Sequence, residues 1–371
     1  MIKKEIFTAL NLLEEKGYEA FLVGGAVRNH LLHKTISDYD ITTNADPNAI
    51  KMIFSNYNTY DIGKKLGTVV VVINKVKIDI TPFRKEGNYT NHRRPETIEF
   101  ATNLKDDLKR RDFTINALCL NSKSEITDLY KGIDDLNNRI IRCIGNPDQR
   151  FHEDGLRILR ALRFKTKLNF TIETKTNKSL FKNKDLLNYI SQERKKDELL
   201  QILSSRNCFN TINEYLDIFN TFIPFKLETR KINNFSNSLY TLAYLLRNQK
   251  VNLKELKYSK EEIELVNTLI DVTNTDIKDD YSFICCLSDI NQKHILTYLN
   301  ELYHKDYTDR FNLLHKYMIS INELKIDGNI LQEFGYKDKQ IKQIKNELLD
   351  LVHQQKLNNT PSALIKYLKK L

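Results

Sequence analysis

The chain has 371 residues, more than one hydrophobic core usually serves, so we expect more than one domain. Hydrophobic residues make up 41% of it and charged residues 29%, a globular composition that excludes a largely disordered chain. The formal net charge of +10 fits a polyanionic partner such as nucleic acid or nucleotide phosphates, although a genome that favours lysine codons would produce the same surplus.

The cysteines and the apolar runs indicate the compartment. The 5 cysteines are odd in number and form no C-x-x-C pair, so we expect reduced thiols in a cytoplasmic protein rather than disulfides or a zinc site. The longest apolar runs, around Phe21–Val23 and Val69–Ile73, have the length of strands. We therefore expect neither a transmembrane segment nor a membrane partner.

Glycine divides the chain into two parts, because every glycine except Gly328 and Gly335 lies at or before Gly155. In the first part, short segments rich in β-branched residues predict strands at Ala20–Val23, Tyr39–Thr42, Thr68–Ile73, Val76–Thr81 and Thr97–Ala101. Helices are predicted at Lys3–Lys16, Ala26–Leu32, Pro47–Phe54 and Thr114–Leu120. From Glu153 onward the 3.6-residue period of helices dominates. The sequence therefore predicts an α+β fold with a mixed N-terminal head followed by helices.

A possible phosphate site follows the first predicted strand, which ends at Gly24 and Gly25 where a helix begins. Glycines let backbone N–H groups approach a ligand without a Cβ in the way. The start of a helix adds further N–H donors and the positive end of its dipole. Arg28, on the first turn of that helix, can add a charged fork to the same phosphates.

An acidic cluster is predicted next along the chain. Asp38 and Asp40 are two residues apart on a predicted strand, so both carboxylates leave the same face. Neighbouring carboxylates repel unless a cation lies between them, and Mg²⁺ is the usual cation in phosphate chemistry. Asp79, on an alternating strand, either brings a third carboxylate to this cluster or lies on an exposed polar face.

These motifs carry a family resemblance. The strand, Gly-Gly, helix and D-x-D pattern resembles motif A of the polymerase-β-like nucleotidyltransferases. The segments Arg110–Leu118 and Glu153–Phe164 resemble motifs B and D of the class II CCA-adding enzymes, which build the 3′ CCA end of tRNA without a nucleic-acid template. The helix predicted at Ser191–Leu203 resembles motif E, which supports the nucleotide-reading helix.

The resemblance implies four segments: a nucleotidyltransferase head at 1–145, a helical neck with base recognition at 146–205, a helical body at 206–310 and a tRNA-binding tail at 311–371. It implies Mg²⁺ as cofactor, CTP and ATP as substrates, and tRNA as partner through its acceptor and T arms. Asp38, Asp40 and Asp79 are the implied catalytic residues, with Asp38 and Asp40 as metal ligands. The implied contacts to nucleotide phosphate and ribose are Gly25, Arg28, Arg111, Arg160 and Arg163. Asp112 is expected to be structural, as an N-cap of the helix predicted at Thr114.

The last part of the site concerns base choice. Asp154, Arg157, Arg160 and Arg163 are spaced by three, so on one helix they would form a single slanting stripe, either a binding surface or a solvated face. Cytosine and adenine both present an amino donor beside a ring-nitrogen acceptor, whereas guanine and uracil present the reverse. A carboxylate beside a guanidinium would therefore accept C and A and refuse G and U. In the family, Asp154 and Arg157 stand where this pair acts as the template.

Several other functions remain open at this point. A class II poly(A) polymerase would share motifs A, B and D, and split-function enzymes add only CC or only A. A loop predicted at Thr81–Pro95 favours full CCA addition, because the family needs an equivalent loop to add the final A. A non-catalytic RNA-binding protein could keep the fold, but the intact Asp38 and Asp40 argue against it.

Overall fold

The computed structural model of the chain describes residues 1–62, 67–86, 89–90, 94–95, 98–227, 235–288, 291–337 and 339–371. The chain divides into two compact units. The first consists of Met1–Ile202 and Asn210–Pro224, and the second of Leu203–Phe209 and Phe225–Leu371. The division into head, neck, body and tail at the expected boundaries stays a prediction.

The first unit is built on a mixed sheet. The strands of the chain are β1 Ala20–Val23, β2 Asp40–Thr43, β3 Asn58–Ile62, β4 Thr68–Ile73, β5 Val76–Pro82, β6 Arg84–Glu86, β7 Tyr89–Thr90, β8 Arg94–Pro95, β9 Ile98–Phe100, β10 Leu118–Leu120, β11 Ile126–Asp128, β12 Ile140–Ile141 and β13 Thr171–Ile172. Seven of them form one sheet in the order β11-β10-β1-β2-β5-β4-β3. β2 and β5 run parallel, and their other neighbours in this sheet are antiparallel.

The β4–β5 hairpin shows why these residues form strands. β4 is a run of β-branched residues, and three of its valines are buried. In β5 the buried Val76, Ile78 and Ile80 alternate with less buried positions, as expected of a strand with one face on the core. Asn74 and Lys75 join the strands with positive φ angles of 48° and 68°, as a two-residue hairpin turn requires.

Helices account for most of the remaining structure. In chain order they are α1 Lys4–Glu14, α2 Gly25–Leu31, α3 Pro47–Ile53, α4 Leu104–Lys109, α5 Gly132–Asn137, α6 Pro147–Glu153, α7 Leu156–Leu168, α8 Thr174–Lys182, α9 Gln192–Leu203, α10 Cys208–Glu214, α11 Leu216–Phe219, α12 Ser238–Leu246, α13 Lys260–Asn274, α14 Asp280–Leu287, α15 Gln292–Tyr303, α16 Thr308–Leu314, α17 Gly328–Glu333, α18 Lys339–His353 and α19 Pro361–Leu368. Short 3₁₀ turns lie at Thr114–Asn116, Lys184–Tyr189, His315–Tyr317 and Ile321–Glu323. The described part of the second unit is helical, and its C-terminal helices enclose a core that includes Leu331, Leu348 and Leu364.

The α+β class is confirmed, but one predicted helix is wrong. Thr114–Asn116 forms a single 3₁₀ turn, and Leu118–Leu120 continues as strand β10. This strand pairs with β1 and β11, and all three of its residues are buried. Strand pairing with distant residues therefore outweighs the local pattern, because a short apolar run fits a buried strand as well as a helix.

The other predicted elements are confirmed with small shifts at their ends. β2 begins at Asp40 rather than at Tyr39, so Asp38 precedes the strand. Of the strand predicted at Thr97–Ala101, Ile98–Phe100 is observed and Thr97 lies outside the described residues. The loop predicted at Thr81–Pro95 also lies partly outside them. No helix in the described parts of the chain combines the length and apolar character needed to cross a membrane.

Candidate active site

A large cavity in the first unit collects the predicted site residues. Its volume is about 1110 Å³. Of the ten predicted residues, the ones that line it are Gly25, Arg28, Asp38, Asp40, Arg111, Asp154, Arg157, Arg160 and Arg163. Asp79 does not line it but pairs in register with Asp40. The fold therefore brings together residues that are more than 100 positions apart in the sequence.

The Gly-Gly turn forms one side of the cavity. β1 ends at Val23, Gly24 has a φ of +75°, and α2 begins at Gly25. This φ lies in the left-handed region that favours glycine. A Cβ on Gly24 would lie 3.6 Å from Arg111 Nη1, so the turn also sits directly beside a charged side chain. The expected strand, turn and helix arrangement is confirmed.

Arg28 points from α2 into the cavity and is held by two asparagines. Its Nη1 donates to Asn116 Oδ1 at 2.5 Å, and its Nε and Nη2 donate to Asn29 Oδ1 at 3.1 and 2.9 Å. Its guanidinium carbon lies 5.0 Å from the ring centre of Phe164. Burial lowers the pKa of Arg28 to about 10, which still leaves it charged at neutral pH. Its partners are neutral, so its charge is available to an anion.

The acidic cluster forms where β2 and β5 run side by side. Asp40 is the register partner of Asp79, and Asp79 N donates to Tyr39 O at 2.9 Å. Asp38 and Asp40 are exposed on either side of the buried Tyr39, as expected for residues that share a face. Ser37 Oγ donates to Asp38 Oδ2 at 2.7 Å.

The carboxylates influence one another. Desolvation by the surrounding protein raises the pKa of Asp40; Arg111 opposes this, and Asp79 and Asp38 add to it. Desolvation, followed by the charge of Asp38, also raises the pKa of Asp79. Mutual repulsion of this kind is the electrostatic setting that a divalent cation relieves. Within the described residues, however, no group of three or more His, Cys, Asp or Glu side chains is arranged to hold a metal ion by itself.

Arg111 reaches the cavity from the end of α4, where Asp107 holds it. Asp107 Oδ2 accepts from Arg111 Nη2 at 3.0 Å, and Oδ1 accepts from Arg110 Nε and Nη2 at 3.0 and 2.7 Å. Burial raises the pKa of Asp107, but the two arginines outweigh burial and lower it overall. Asp107 therefore carries a charge that fixes two cationic side chains of the site.

Three arginines surround the ring of Phe164 on α7. The guanidinium carbons of Arg28, Arg160 and Arg163 lie 5.0, 5.6 and 4.7 Å from the centre of this ring. Such distances are typical of cation–π contacts. The ring thus packs together three like charges that would otherwise repel one another in a partly buried site.

Two acids balance part of this charge. Asp112 Oδ2 accepts from Arg160 Nε and Nη2 at 2.8 and 2.6 Å, while Glu198 Oε2 lies 3.0 Å from Arg163 Nε. Although burial raises the pKa of Asp112, Arg160 and the Asn116 amide outweigh it and lower the pKa to about 2. Asp112 is not the N-cap that we expected, because Phe113 occupies that position. Its structural role is to anchor Arg160.

The prediction that Asp154 shares a helix with the three arginines is wrong. Asp154 lies between α6 and α7 with φ −144° and ψ 104°, and its Oδ1 accepts from Leu156 N at 3.1 Å. The carboxylate therefore accepts from the first backbone N–H of α7, whose N-cap position is Gly155, and does not project from the helix. Arg157, Arg160 and Arg163 do lie on α7. The break between α6 and α7 was not recognised because the three-residue spacing continues through it.

The side chains of Asp154 and Arg157 each bond other groups, whereas in a simple acid–arginine pair they would bond each other. Asp154 Oδ2 accepts from Arg194 Nη2 at 2.9 Å. Arg157 Nη1 donates to Glu153 Oε2 at 2.7 Å and to Arg150 O at 3.0 Å, and its Nη2 donates to Arg110 O at 2.7 Å. Both side chains line the same cavity, but in this structure each is hydrogen bonded to other groups.

Helix α9 supports α7, as its resemblance to motif E implied. Arg194 contacts Asp154, Glu198 pairs with Arg163, and Gln201 Oε1 accepts from Arg163 Nη1 at 2.8 Å.

Sequence reasoning gave no site role to Asp107, Asn116 or Phe164. Asp107 left a signal, since it lies three and four residues before two arginines at helical spacing.

Comparison with known proteins identifies the family. The family described as "Poly A polymerase head domain" matches residues 20–142, and the family described as "Probable RNA and SrmB-binding site of polymerase A" matches residues 169–222. The CCA-adding enzyme of Lactobacillus helveticus (strain DPC 4571) is 34% identical over 387 aligned residues, which cover 98% of this chain and 96% of that protein. The chain belongs to the CCA-adding enzyme family. This family membership confirms the resemblance, makes the chain a nucleotidyltransferase and implies a divalent metal cofactor.

Further similar proteins support the same family assignment. The CCA-adding enzyme of Ligilactobacillus salivarius (strain UCC118) is 45% identical over 214 residues, covering 58% of this chain and 52% of that protein. Among solved structures, the Bacillus stearothermophilus CCA-adding enzyme in complex with CTP has a TM-score of 0.80 at 24% identity, over 99% of this chain and 96% of that chain. The Thermotoga maritima CCA-adding enzyme complexed with tRNA has a TM-score of 0.68 at 18% identity, over 100% and 96% of the two chains. At these identities the two structures support the fold alone.

Proposed function

We propose that this chain adds C, C and A to the 3′ end of tRNA, using CTP and ATP and releasing pyrophosphate, without a nucleic-acid template. One observation carries the proposal: in a member of the CCA-adding family, a single cavity is lined by the Asp38 and Asp40 carboxylates, by a group of arginines and by Asp154. The acids suit a metal, the arginines suit a triphosphate, and Asp154 suits the edge of a base.

Asp38 and Asp40 would hold Mg²⁺, with Asp79 beside them. Carboxylate oxygens are the ligands that this ion prefers, and Mg²⁺ in phosphate-transfer sites usually takes one or two carboxylates and completes its shell with water and substrate phosphate. The carboxylates present fit that pattern, which agrees with the lack of a self-sufficient ligand group among the described residues. When bound, the ion makes the attacking tRNA 3′-hydroxyl more acidic and neutralises charge on the leaving pyrophosphate.

The arginines would bind the triphosphate and ribose. Arg28 and Arg111 lie beside the Gly24–Gly25 turn, where backbone N–H groups at the start of α2 add donors. Arg160 and Arg163 extend the same positive surface along α7. Because Asp112 and Glu198 hold these two side chains in place, little rotamer entropy remains to be lost when an anion binds.

Asp154 and Arg157 would choose the base. Asp154 accepts a hydrogen bond from the amino group of cytosine or adenine, and Arg157 donates to the neighbouring ring nitrogen. In this structure Arg157 donates to Glu153 and to two backbone carbonyls, so in base reading its guanidinium would serve these groups and the nucleobase together. Uracil and guanine would place a carbonyl oxygen against the carboxylate, which would cost about 1–3 kcal/mol of binding free energy for each unpaired group.

The tRNA would be gripped through its acceptor and T arms. The match of residues 169–222 to a probable RNA-binding family and the net charge of +10 support this partner. The Thermotoga maritima relative is a tRNA complex. We place the enzyme in the cytoplasm, where tRNA is processed and the thiols of its five free cysteines stay reduced.

An incorporation assay tests the function. The protein is incubated with Mg²⁺, one labelled nucleoside triphosphate at a time or CTP and ATP together, and a tRNA that ends before its CCA. We expect CTP to be added twice, ATP once after the second C, and UTP and GTP to be rejected.

The same assay separates the alternatives. Long adenosine tracts would replace the proposal with a poly(A) polymerase. Addition that stops after CC, or only of A to a tRNA ending in CC, would identify a split-function enzyme. No incorporation together with tight tRNA binding would indicate a non-catalytic RNA-binding protein.

A further inference from the structure

Asp107 is a buried acid that the proposed mechanism does not use. Its side chain is 0% exposed, although charged groups are almost never fully buried unless they are paired. Besides the Arg110 and Arg111 side chains, it accepts from Thr42 Oγ1 at 3.3 Å and from Arg84 N at 3.2 Å. It therefore joins two site arginines to the region of β2 and β6.

Arg111 depends on this acid for its position. Among the described residues, Asp107 is the only hydrogen-bonding partner of the Arg111 side chain, through Nη2 at 3.0 Å. The Nε of Arg111 is buried and has no hydrogen-bond partner in the part of the chain that the structure describes. Its Nη1 is the end that lies beside the Gly24 turn, on the wall of the cavity. Asp107 thus holds one end of the guanidinium and leaves the other facing the site.

A second acid competes for the same arginine. Arg111 interacts electrostatically with both Asp107 and Asp40, and it counteracts the rise in the pKa of Asp40. Asp40 is one of the carboxylates that would hold the metal. If Asp107 lost its charge, Asp40 would be the remaining carboxylate that attracts Arg111, and the arginine and the cation would then compete for Asp40.

We propose that Asp107 is a positioning residue, which sets the Arg111 guanidinium on the triphosphate side of the cavity and keeps it away from Asp40. This inference rests on the proposed function, because it takes the ligand of the cavity to be a nucleoside triphosphate. Asp107 itself touches neither substrate nor metal. It acts through the position of one charge.

The test compares Asp107→Asn with Asp106→Asn. Both substitutions remove one acid from α4, but Asp106 is partly exposed and its side chain bonds Asn103 rather than an arginine. CTP binding is measured by calorimetry in EDTA, without metal or turnover. We expect CTP to bind about tenfold more weakly to Asp107→Asn than to wild type, because one charge-assisted contact to the triphosphate is displaced. For Asp106→Asn we expect a CTP affinity within about twofold of wild type.

Three further readouts separate positioning from general structural support. The Mg²⁺ concentration for half-maximal CTP incorporation should rise by about threefold or more in Asp107→Asn, because Arg111 then competes for Asp40. In Asp107→Asn, KM for CTP should rise more than kcat falls, as expected when a binding contact is lost. In the Arg111→Ala background, Asp107→Asn should cause no further loss of CTP affinity. Additive losses would overturn the inference, as would an unchanged Mg²⁺ requirement.

Folding is followed by circular dichroism. If Asp107→Asn does not fold, Asp107→Ser makes the same test, because it also removes the charge that holds Arg111 and keeps a hydroxyl that can accept a hydrogen bond. A folded variant of either kind with wild-type CTP affinity and Mg²⁺ requirement would overturn the inference. A wild-type protein that binds CTP but adds no nucleotide to tRNA would overturn the proposed function alone.

Discussion

Replacement of Asp154 by alanine tests base reading most directly. Asp154 Oδ1 accepts from Leu156 N and Arg194 Nη1 at 3.1 and 3.3 Å, and Arg194 Nη2, at 2.9 Å, is the only described donor to Oδ2. A carboxylate offers about four acceptor positions. One position therefore remains on Oδ2, and the amino group of cytosine or adenine can use it without displacing Arg194.

The magnitude follows from that one position. A hydrogen bond from a neutral donor to a carboxylate is worth about 1.5–3 kcal/mol, which is about a tenfold to 150-fold change in an equilibrium constant. In Asp154→Ala the CTP complex loses this bond, and UTP no longer places O4 against a negative charge. We expect the preference for CTP over UTP to fall by about tenfold to 100-fold, with a smaller loss of triphosphate binding.

The assay is kcat/KM for CTP and UTP on tRNA that ends before its CCA. Asp154→Asn is the informative companion, because its amide can donate to uracil O4 and should accept UTP better than Asp154→Ala does. Asp185→Ala is the control, since it removes an exposed acid from the same unit. Unchanged rejection of UTP in both Asp154 variants would refute the template role.

Two further predictions concern the metal site and the arginine cluster. Asp40→Ala should abolish transfer of every nucleotide while tRNA affinity by filter binding stays within about twofold; wild-type activity would remove Asp40 from the metal site. Asp112→Asn should lose about 2 kcal/mol in the free energy of unfolding at pH 7, because the pKa of Asp112 is about 2 in the folded chain and about 3.9 when unfolded. Because the folded pKa of Asp112 lies below its unfolded pKa, its charge stabilises the fold fully above the unfolded pKa, and this stabilisation is lost as the pH falls toward the folded pKa. The difference in unfolding free energy between wild type and Asp112→Asn, measured by denaturant titration, should therefore shrink by about half at pH 3. A deficit independent of pH would contradict the ion pair with Arg160.

Much of the site could be predicted from local sequence. The Gly24–Gly25 turn follows from glycines placed directly after an apolar strand, and its φ of +75° at Gly24 explains the residue type. The alternation of polar and apolar residues around Tyr39 predicted that Asp38 and Asp40 lie on the same face, although the strand begins only at Asp40. These features depend on a few adjacent residues, and adjacent residues are what a sequence pattern records.

Ion-pair partners were decided by the tertiary structure. Asp154 pairs with Arg194, 40 positions away, and Asp112 with Arg160, 48 positions away. The three-residue spacing of Asp154 and Arg157 suggested a shared helix face, but a helix break between them redirected both side chains. Likewise Leu118–Leu120 became a strand because β1 and β11 lie on either side of it. Sequence alone determined which charged groups the site contains, whereas packing decided which of them meet, because a buried charge takes the partner that the fold brings within hydrogen-bond distance.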